Sequence, residues 1–308
     1  VVRPRLYLSI ALCLAACAAI TGCKSGDGAP KVLRYAFAPA AEELQSGNLR
    51  SDKMRDYLSK QLHMPVEVVR VEGYAPTIEA MRAHKVDIAS FGSLSYIIAA
   101  QKAGAEAIAA RGYPDGTIGG YRSEIAVPKD SPIHSIDDLK AHAKDIVFAF
   151  SDPASTSGNL YPRVGLLSQG IDPEKDFKKV LFAGNHLDTV MAVKSGKVDA
   201  GGFMVSAATR LISTGKMAPD DIRVIWTSDL IPNSCYAVRK DLPEQLKKDI
   251  QSALVDMPQR DPQLAASLLG LYRTNVTGTV VVPVNDATYN GLRHYAAQVK
   301  DFKFVEGN

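Results

Sequence analysis

The feature that most restricts what this chain can fold into is a repeat. Ala80-Met81-Arg82-Ala83-His84-Lys85-Val86-Asp87-Ile88-Ala89 is echoed 112 residues later by Ala192-Val193-Lys194-Ser195-Gly196-Lys197-Val198-Asp199-Ala200-Gly201. In each copy a helical stripe runs into Lys-Val-Asp and then into an apolar strand. By the same offset Tyr74 falls opposite His186, each just ahead of the helix that leads into its Lys-Val-Asp. Tyr35-Ala36-Phe37 with its proline loop is echoed in turn by Phe148-Ala149-Phe150 and a second proline loop. One long period points to two similar lobes, whereas a solenoid would repeat every ~20–50 residues.

Alternation of strand and helix signals fills in each lobe. Strands are predicted at Lys31–Phe37, Val66–Val71, Val86–Phe91 and Ala105–Arg111, with helices at Ser51–Leu62, Thr77–His84 and Ser93–Lys102 between them. That order predicts an α/β fold in which each lobe is a mostly parallel sheet flanked by helices. The chain must cross between lobes twice, and Tyr121–Val127 and Ser234–Val238 are suitably extended and apolar. The expected division is 32–124 for the first part of lobe 1, 125–233 for lobe 2 and 234–308 for the return to lobe 1. Terminal helices at Pro243–Asp256 and Asp286–Val299 and a strand at Thr279–Val282 complete it. Strand ends gather at one edge of such sheets, where ligands bind. Facing lobes would bring Tyr74, the Pro39 loop, Ser155 to Ser157 and His186 around one cleft.

Phe150 to Asn159, FSDPASTSGN, is the segment with the clearest chemistry. A branched apolar run ends at the turn signal Asp152-Pro153, and Ser155-Thr156-Ser157-Gly158 then opens a helical pattern through Leu160, Val164 and Leu167. Hydroxyls, unsatisfied backbone N–H groups and the positive end of a helix dipole can converge there on one anion. An ordinary N-cap that binds nothing has the same residues.

The start of the chain reads as an address. Arg3 and Arg5 precede an apolar run from Leu6 to Ile20, too short to span a bilayer and built like a signal peptide. Ile20-Thr21-Gly22-Cys23, followed by polar residues, resembles a bacterial lipobox in which Cys23 is lipidated. Residues 1–23 are therefore expected to be a lipoprotein signal and 24–31 a tether, with plain cleavage as the alternative. The protein would be exported and anchored to the membrane facing the periplasm or extracytoplasmic side. Cys235 is the one cysteine beyond the lipobox, so no intrachain disulfide is available to the mature chain. The formal net charge is +3, of which Arg3 and Arg5 supply two, and no basic stripe with interleaved aromatics occurs. Nucleic acid is therefore not an expected partner. Six scattered histidines show no metal-ligand spacing.

Several short elements, weak singly and strong in order and spacing, carry a resemblance. They are Gly73-Tyr74-Ala75, Lys85-Val86-Asp87-Ile88-Ala89, Phe91-Gly92-Ser93-Leu94-Ser95, Val127-Pro128-Lys129-Asp130-Ser131-Pro132, Asp152-Pro153 with Ser155-Thr156-Ser157-Gly158, Gly184-Asn185-His186 and Leu230-Ile231-Pro232. With them the chain resembles the substrate-binding lipoproteins of phosphonate, phosphite and phosphate ABC importers, from about Leu33 to Leu242. The resemblance implies the two-lobed periplasmic-binding-protein fold of type II with two crossing hinge strands. It also implies a small phosphorus oxyanion as ligand, a membrane permease with its ATPase as partners, a monomer, and no cofactor or metal. Ser155, Thr156 and Ser157 match the turn that holds the phosphonyl oxygens, His186 the histidine donating from the same lobe, and Tyr74 and Tyr121 two cleft tyrosines.

Where family members bind aminoalkyl phosphonates, the pattern places carboxylates at the positions of Ser206 and Ser234. A desolvated ammonium without a counter-charge is unfavourable. The resemblance therefore points to phosphite, methylphosphonate or phosphate. Two other classes stay open at this point: a ligand-sensing lipoprotein that docks a receptor, and an enzyme with Ser155 or Ser157 as nucleophile and His186 as base. Against the enzyme, no Gly-x-Ser-x-Gly elbow is present and Asp188 is near His186 only in sequence.

Overall fold

The repeated Lys-Val-Asp motif performs one mechanical task twice. In a computed structural model of the protein, which describes residues 28–37, 47–269 and 278–299, each aspartate clamps the first strand of its own sheet. Asp87 accepts from Arg34 N at 2.8 Å and its own N–H donates to Arg34 O at 2.8 Å. Asp199 accepts from Val147 N at 2.8 Å and donates its N–H to Val147 O at 2.9 Å. A short carboxylate just ahead of a strand thus closes the start of the neighbouring strand, whose backbone groups would otherwise lack partners.

In chain order the strands are β1 (Leu33–Phe37), β2 (Val66–Val69), β3 (Ile88–Phe91), β4 (Ala105–Gly112), β5 (Gly120–Tyr121), β6 (Ser123–Pro128), β7 (Val147–Phe150), β8 (Lys179–Phe182), β9 (Ala200–Met204), β10 (Ile222–Thr227), β11 (Ile231–Pro232), β12 (Cys235–Arg239) and β13 (Val280–Pro283). One sheet has the order β13-β4-β12-β3-β1-β2 and the other β10-β6-β9-β7-β8. Setting β13 aside, the two are the same arrangement. The first strand lies between the second and third, and a strand arriving from the other lobe is inserted beside the third. β1 pairs parallel with β2 and β3, and β7 parallel with β8 and β9. The arriving strands β12 and β6 run antiparallel to both neighbours. Where the chain crosses, β5 and β11 form a two-stranded antiparallel ribbon that pairs Tyr121 with Ile231 and Gly120 with Pro232.

Both sheets are covered on both faces, which is why their central strands read as near-continuous apolar runs. Along β6, Ile125 and Val127 point into a cluster with Phe148, Phe150 and Leu166, whereas Ala126 points the other way toward Val190, Phe203 and Leu211. In the first sheet, Leu33, Tyr35 and Ile88 pack under the helices Gly47–Leu62 and Glu244–Val255 through Met54, Leu58, Ile250 and Leu254. The opposite face forms a cluster that reaches across to the second lobe, joining Tyr74, Leu94, Ile97 and Tyr289 to Leu160, Tyr161 and Val164. Tyr161 stacks on Tyr295 with ring centroids 4.2 Å apart. Cys235 is a fully buried core residue on β12, and burial pushes its thiol up to about 12.

Two local expectations change. Lys85-Val86-Asp87 precedes the strand, which starts at Ile88, because the aspartate's side chain and N–H are both spent on Arg34. The Ser-Thr-Ser turn opens as a wide π-helical turn over Thr156–Leu160, and the α-helix proper begins at Tyr161. Gly158 explains the widening: a Cβ there would meet Ser151 Cβ at 2.4 Å and His186 Cε1 at 2.9 Å. The backbone is pressed against those two residues, with Ser151 N donating to Gly158 O at 2.7 Å. Single π turns of this kind favour functional sites. The leader with Cys23, the tether to residue 27 and the Pro39 loop lie outside the described residues. No helix among those described is long and apolar enough to cross a membrane.

Candidate functional site

Three helix starts meet in a cleft of about 300 Å3 between the sheets. The helix Tyr74–Arg82 of the first lobe begins there, with Gly73 at its N-cap and no side chain capping it. The helix His186–Lys194 of the second lobe begins there behind Asn185, whose side chain accepts from Asp188 N. The third start is the π turn, capped by Ser155, whose Oγ accepts from Gly158 N at 2.9 Å. Tyr74 and His186, paired by the repeat offset, each occupy the first position of a nine-residue helix and face the same space. The cleft is lined by Glu72, Gly73, Tyr74, Ala75, Pro76, Ser151, Asp152, Ser155, Gly184, Asn185 and His186. Among the described residues no lysine or arginine lines this wall. Three helix dipoles and their first-turn N–H groups supply the positive potential instead.

His186 is set up as a neutral donor. Met204 N, which can only donate, lies 3.2 Å from its Nδ1, so that nitrogen is the acceptor and Nε2 carries the proton. Ser151 Oγ lies beside the same ring edge, 3.1 Å from Nδ1, and gives its one hydrogen to Gly202 O at 3.0 Å. Nε2 lies 3.4 Å from Ser155 Oγ on the cleft side. The imidazole is 3% exposed, and that burial lowers its pKa to about 4. It therefore stays uncharged at neutral pH and offers one N–H to the cleft. In this tautomer Nε2 already bears hydrogen and is not set to take the proton of Ser155.

Of the six residues picked out in the sequence, Tyr74, Ser155 and His186 line the cleft. Thr156 is buried and its hydroxyl turns to the other lobe, where Oγ1 accepts from Leu94 N at 2.8 Å at the start of the helix Ser93–Ala103. Ser157 is buried behind the turn, its carbonyl accepting from Ser123 Oγ at 2.6 Å. Tyr121 lies in the crossing ribbon, half-buried against the cluster shared by both lobes. Four polar cleft residues were not among the six: Glu72, Ser151, Asp152 and Asn185. Asp152 stood in the sequence only as part of a turn signal, and nothing in the local pattern says which way a turn side chain faces. Among the described residues no group of three or more His, Cys, Asp or Glu could hold a metal ion.

A family model for ABC transporter, phosphonate, periplasmic substrate-binding proteins matches residues 37–289. The chain belongs to this family. It is 32% identical over 285 residues to the phosphate-import protein PhnD of Mycolicibacterium smegmatis, covering 88% of this chain and 86% of that one. Among solved structures it is similar to a binding protein component of an ABC phosphonate transporter from Pseudomonas aeruginosa. That pair has a TM-score of 0.76 at 27% identity, covering 86% of this chain and 85% of the other. PhnD1 of Prochlorococcus marinus, solved in complex with methylphosphonate, shares the fold with a TM-score of 0.73 at 22% identity over 87% of this chain and 98% of that one. This phosphonate-family protein is thus the substrate-binding component of an ABC transporter, an extracytoplasmic role, and its relatives are transport proteins rather than enzymes.

Proposed function

We propose that this protein binds a small phosphorus oxyanion, either phosphite, methylphosphonate or phosphate, in the interlobe cleft and delivers it to a membrane permease with its ATPase. The observation that carries the reading is the convergence of three helix starts with Ser155 Oγ and the Nε2–H of His186 on one cleft, lined by no lysine or arginine among the described residues. Charge-assisted hydrogen bonds contribute on the order of 1.5–3 kcal/mol each, so four or five reach micromolar affinity after desolvation and closure. The ligand-binding set is Tyr74, Tyr121, Ser155, Thr156, Ser157 and His186. Thr156 and Ser157 act from the turn that both closes on Leu94 and faces the ligand, and Tyr121 from the crossing ribbon. Cys23 carries the lipid anchor, and the protein works as a monomer. M. smegmatis PhnD, a phosphate-import protein by name, and P. marinus PhnD1, solved with methylphosphonate, support this ligand class.

Within that class we read a preference for ligands without an amine. Ser206 and Ser234 stand where amine binders carry carboxylates. Ser206 Oγ is buried without a hydrogen-bond partner and Ser234 is exposed, so neither position supplies a negative charge. The test is calorimetric titration of the mature chain with phosphite, methylphosphonate, phosphate and 2-aminoethylphosphonate at one pH and salt. At least one small oxyanion should bind with micromolar affinity or better. The aminoethyl compound should be weaker by roughly 2–4 kcal/mol, about 30- to 1000-fold. Tightest binding by the aminoethyl compound would overturn the preference, and no binding of any of the four would overturn the function.

A further inference from the structure

Asp152 is the carboxylate that stands beside the donors of the second lobe. It lines the same space as Ser155 and His186, at the junction of β7 and the π turn. Its Oδ1 accepts from Ala154 N at 2.7 Å, an Asx turn that fixes the side chain against its own backbone. The second carboxylate oxygen makes no hydrogen bond to the described residues, and it is not sealed in the protein. Burial raises the pKa of this carboxyl, with only the Ala154 N–H opposing. The groups facing it across the cleft bring no cation: Glu72 and Tyr74 come from the first lobe, and neutral His186 from the second-lobe helix. A dianion placed here would meet two carboxylates and, among the described lining residues, no full positive charge.

Resting on the oxyanion reading above, we infer that Asp152 is a specificity-determining residue that accepts the hydrogen of a P–OH group. It thereby selects a singly protonated phosphorus oxyanion over the dianion and over sulfonates of the same shape. The donors of the helix starts, Ser155 and His186 satisfy the unprotonated oxygens. Asp152 meets the one ligand oxygen that must donate. A sulfonate has no such hydrogen at neutral pH, so its third oxygen would face a carboxylate acceptor to acceptor, an arrangement that costs an unpaired polar group on each side.

The test compares methylphosphonate with methanesulfonate, its isosteric monoanion without an ionisable hydrogen, in the wild type and in Asp152→Asn. Asparagine keeps the oxygen that holds Ala154 N and puts an amide donor where the second carboxylate oxygen was, so the turn is preserved. Wild type should prefer methylphosphonate by at least about a hundredfold at pH 6, and the variant should cut that ratio by about tenfold or more. Wild-type affinity for methylphosphonate should also fall as pH rises through the ligand's second ionisation, and the variant's should hold level or rise. An unchanged ratio in a variant that still binds methylphosphonate overturns the inference and leaves the proposed function intact. A variant that loses only 2-aminoethylphosphonate, with the ratio unchanged, also overturns it, by assigning Asp152 to an ammonium. Failure of wild type to bind any phosphorus oxyanion removes the function and this inference together.

Discussion

The two lobes carry the same motif in different surroundings. Asp87 and Asp199 make matching bonds to Arg34 and Val147, yet Asp87 is fully buried and Asp199 is exposed. The return strand accounts for the difference. β12 ends at Arg239, whose guanidinium reaches Asp87 with Nη2–Oδ1 at 2.9 Å and Nε–Oδ1 at 3.0 Å. Arg239 also binds Asp241 at 2.7 Å. In the second sheet the inserted strand β6 ends at Pro128, which brings no such cation. The first lobe has thus turned the repeated aspartate into a buried charge cluster that ties the chain's return to the sheet. The second lobe leaves it as a strand clamp and concentrates polar groups on the cleft: Ser151, Asp152, Ser155, Asn185 and His186 against Glu72 and Tyr74 opposite. One lobe spends its polar residues on holding the chain together, and the other spends them on the ligand.

The largest effect should separate the two aspartates. Asp87→Asn keeps an acceptor for Arg34 N but takes the charge from buried Arg239, a loss of about 3 kcal/mol, at the low end for breaking a buried pair because Asp241 remains. Asp199→Asn, exposed and without a cation, should cost less than about 1 kcal/mol. Urea unfolding of both variants checks this, and equal losses would break the contrast between lobes.

A second effect belongs to the ligand lobe and appears on acidification. The folded pKa of His186, about 4, lies below the ordinary value near 6.5, so the unfolded chain takes up this proton first. The corresponding stability is present above pH ~6.5 and is lost as pH falls toward 4, with about 2 kcal/mol gone by pH 5. Unfolding free energies of wild type and His186→Gln between pH 7.5 and 5 should differ in slope by that amount. Parallel curves would mean that the imidazole is not held neutral by burial.

The smallest effect falls where the lobes touch. Thr156→Ala removes a hydroxyl that accepts from Leu94 N across the lobes, and ligand affinity should drop by about 1 kcal/mol, the size of one neutral hydrogen bond that holds the lobes together. Thr156→Ser should recover most of it. Calorimetry with the tightest ligand of the panel decides the point, and an unchanged affinity in the alanine variant would remove Thr156 from the ligand contacts.

The repeat made much of this architecture legible. A motif recurring at one long offset, with the same strand and helix signals around it, corresponds to two sheets whose strands follow the same order. Tyr74 and His186 could be paired before any fold was known because offset and helix start travel together along the chain. The runs Tyr121–Val127 and Ser234–Val238, read as crossings, mostly form β6 and β12, and the crossing ribbon itself is Gly120–Tyr121 with Ile231–Pro232.

Tertiary structure alone decided the chemistry of individual atoms. The tautomer of His186 depends on Met204 N, 18 residues away, and the π turn depends on Gly158 meeting Ser151 and His186. Asp152 and Glu72 became cleft walls only when the lobes faced each other, and Asp87 became a buried ion only when β12 returned beside β3. The physical reason is one of range. Periodicity, capping and strand propensity act over a few residues and are written locally. The direction of a side chain in a turn, its proton and its charge partner are set by groups distant in sequence, which folding alone brings within hydrogen-bonding distance.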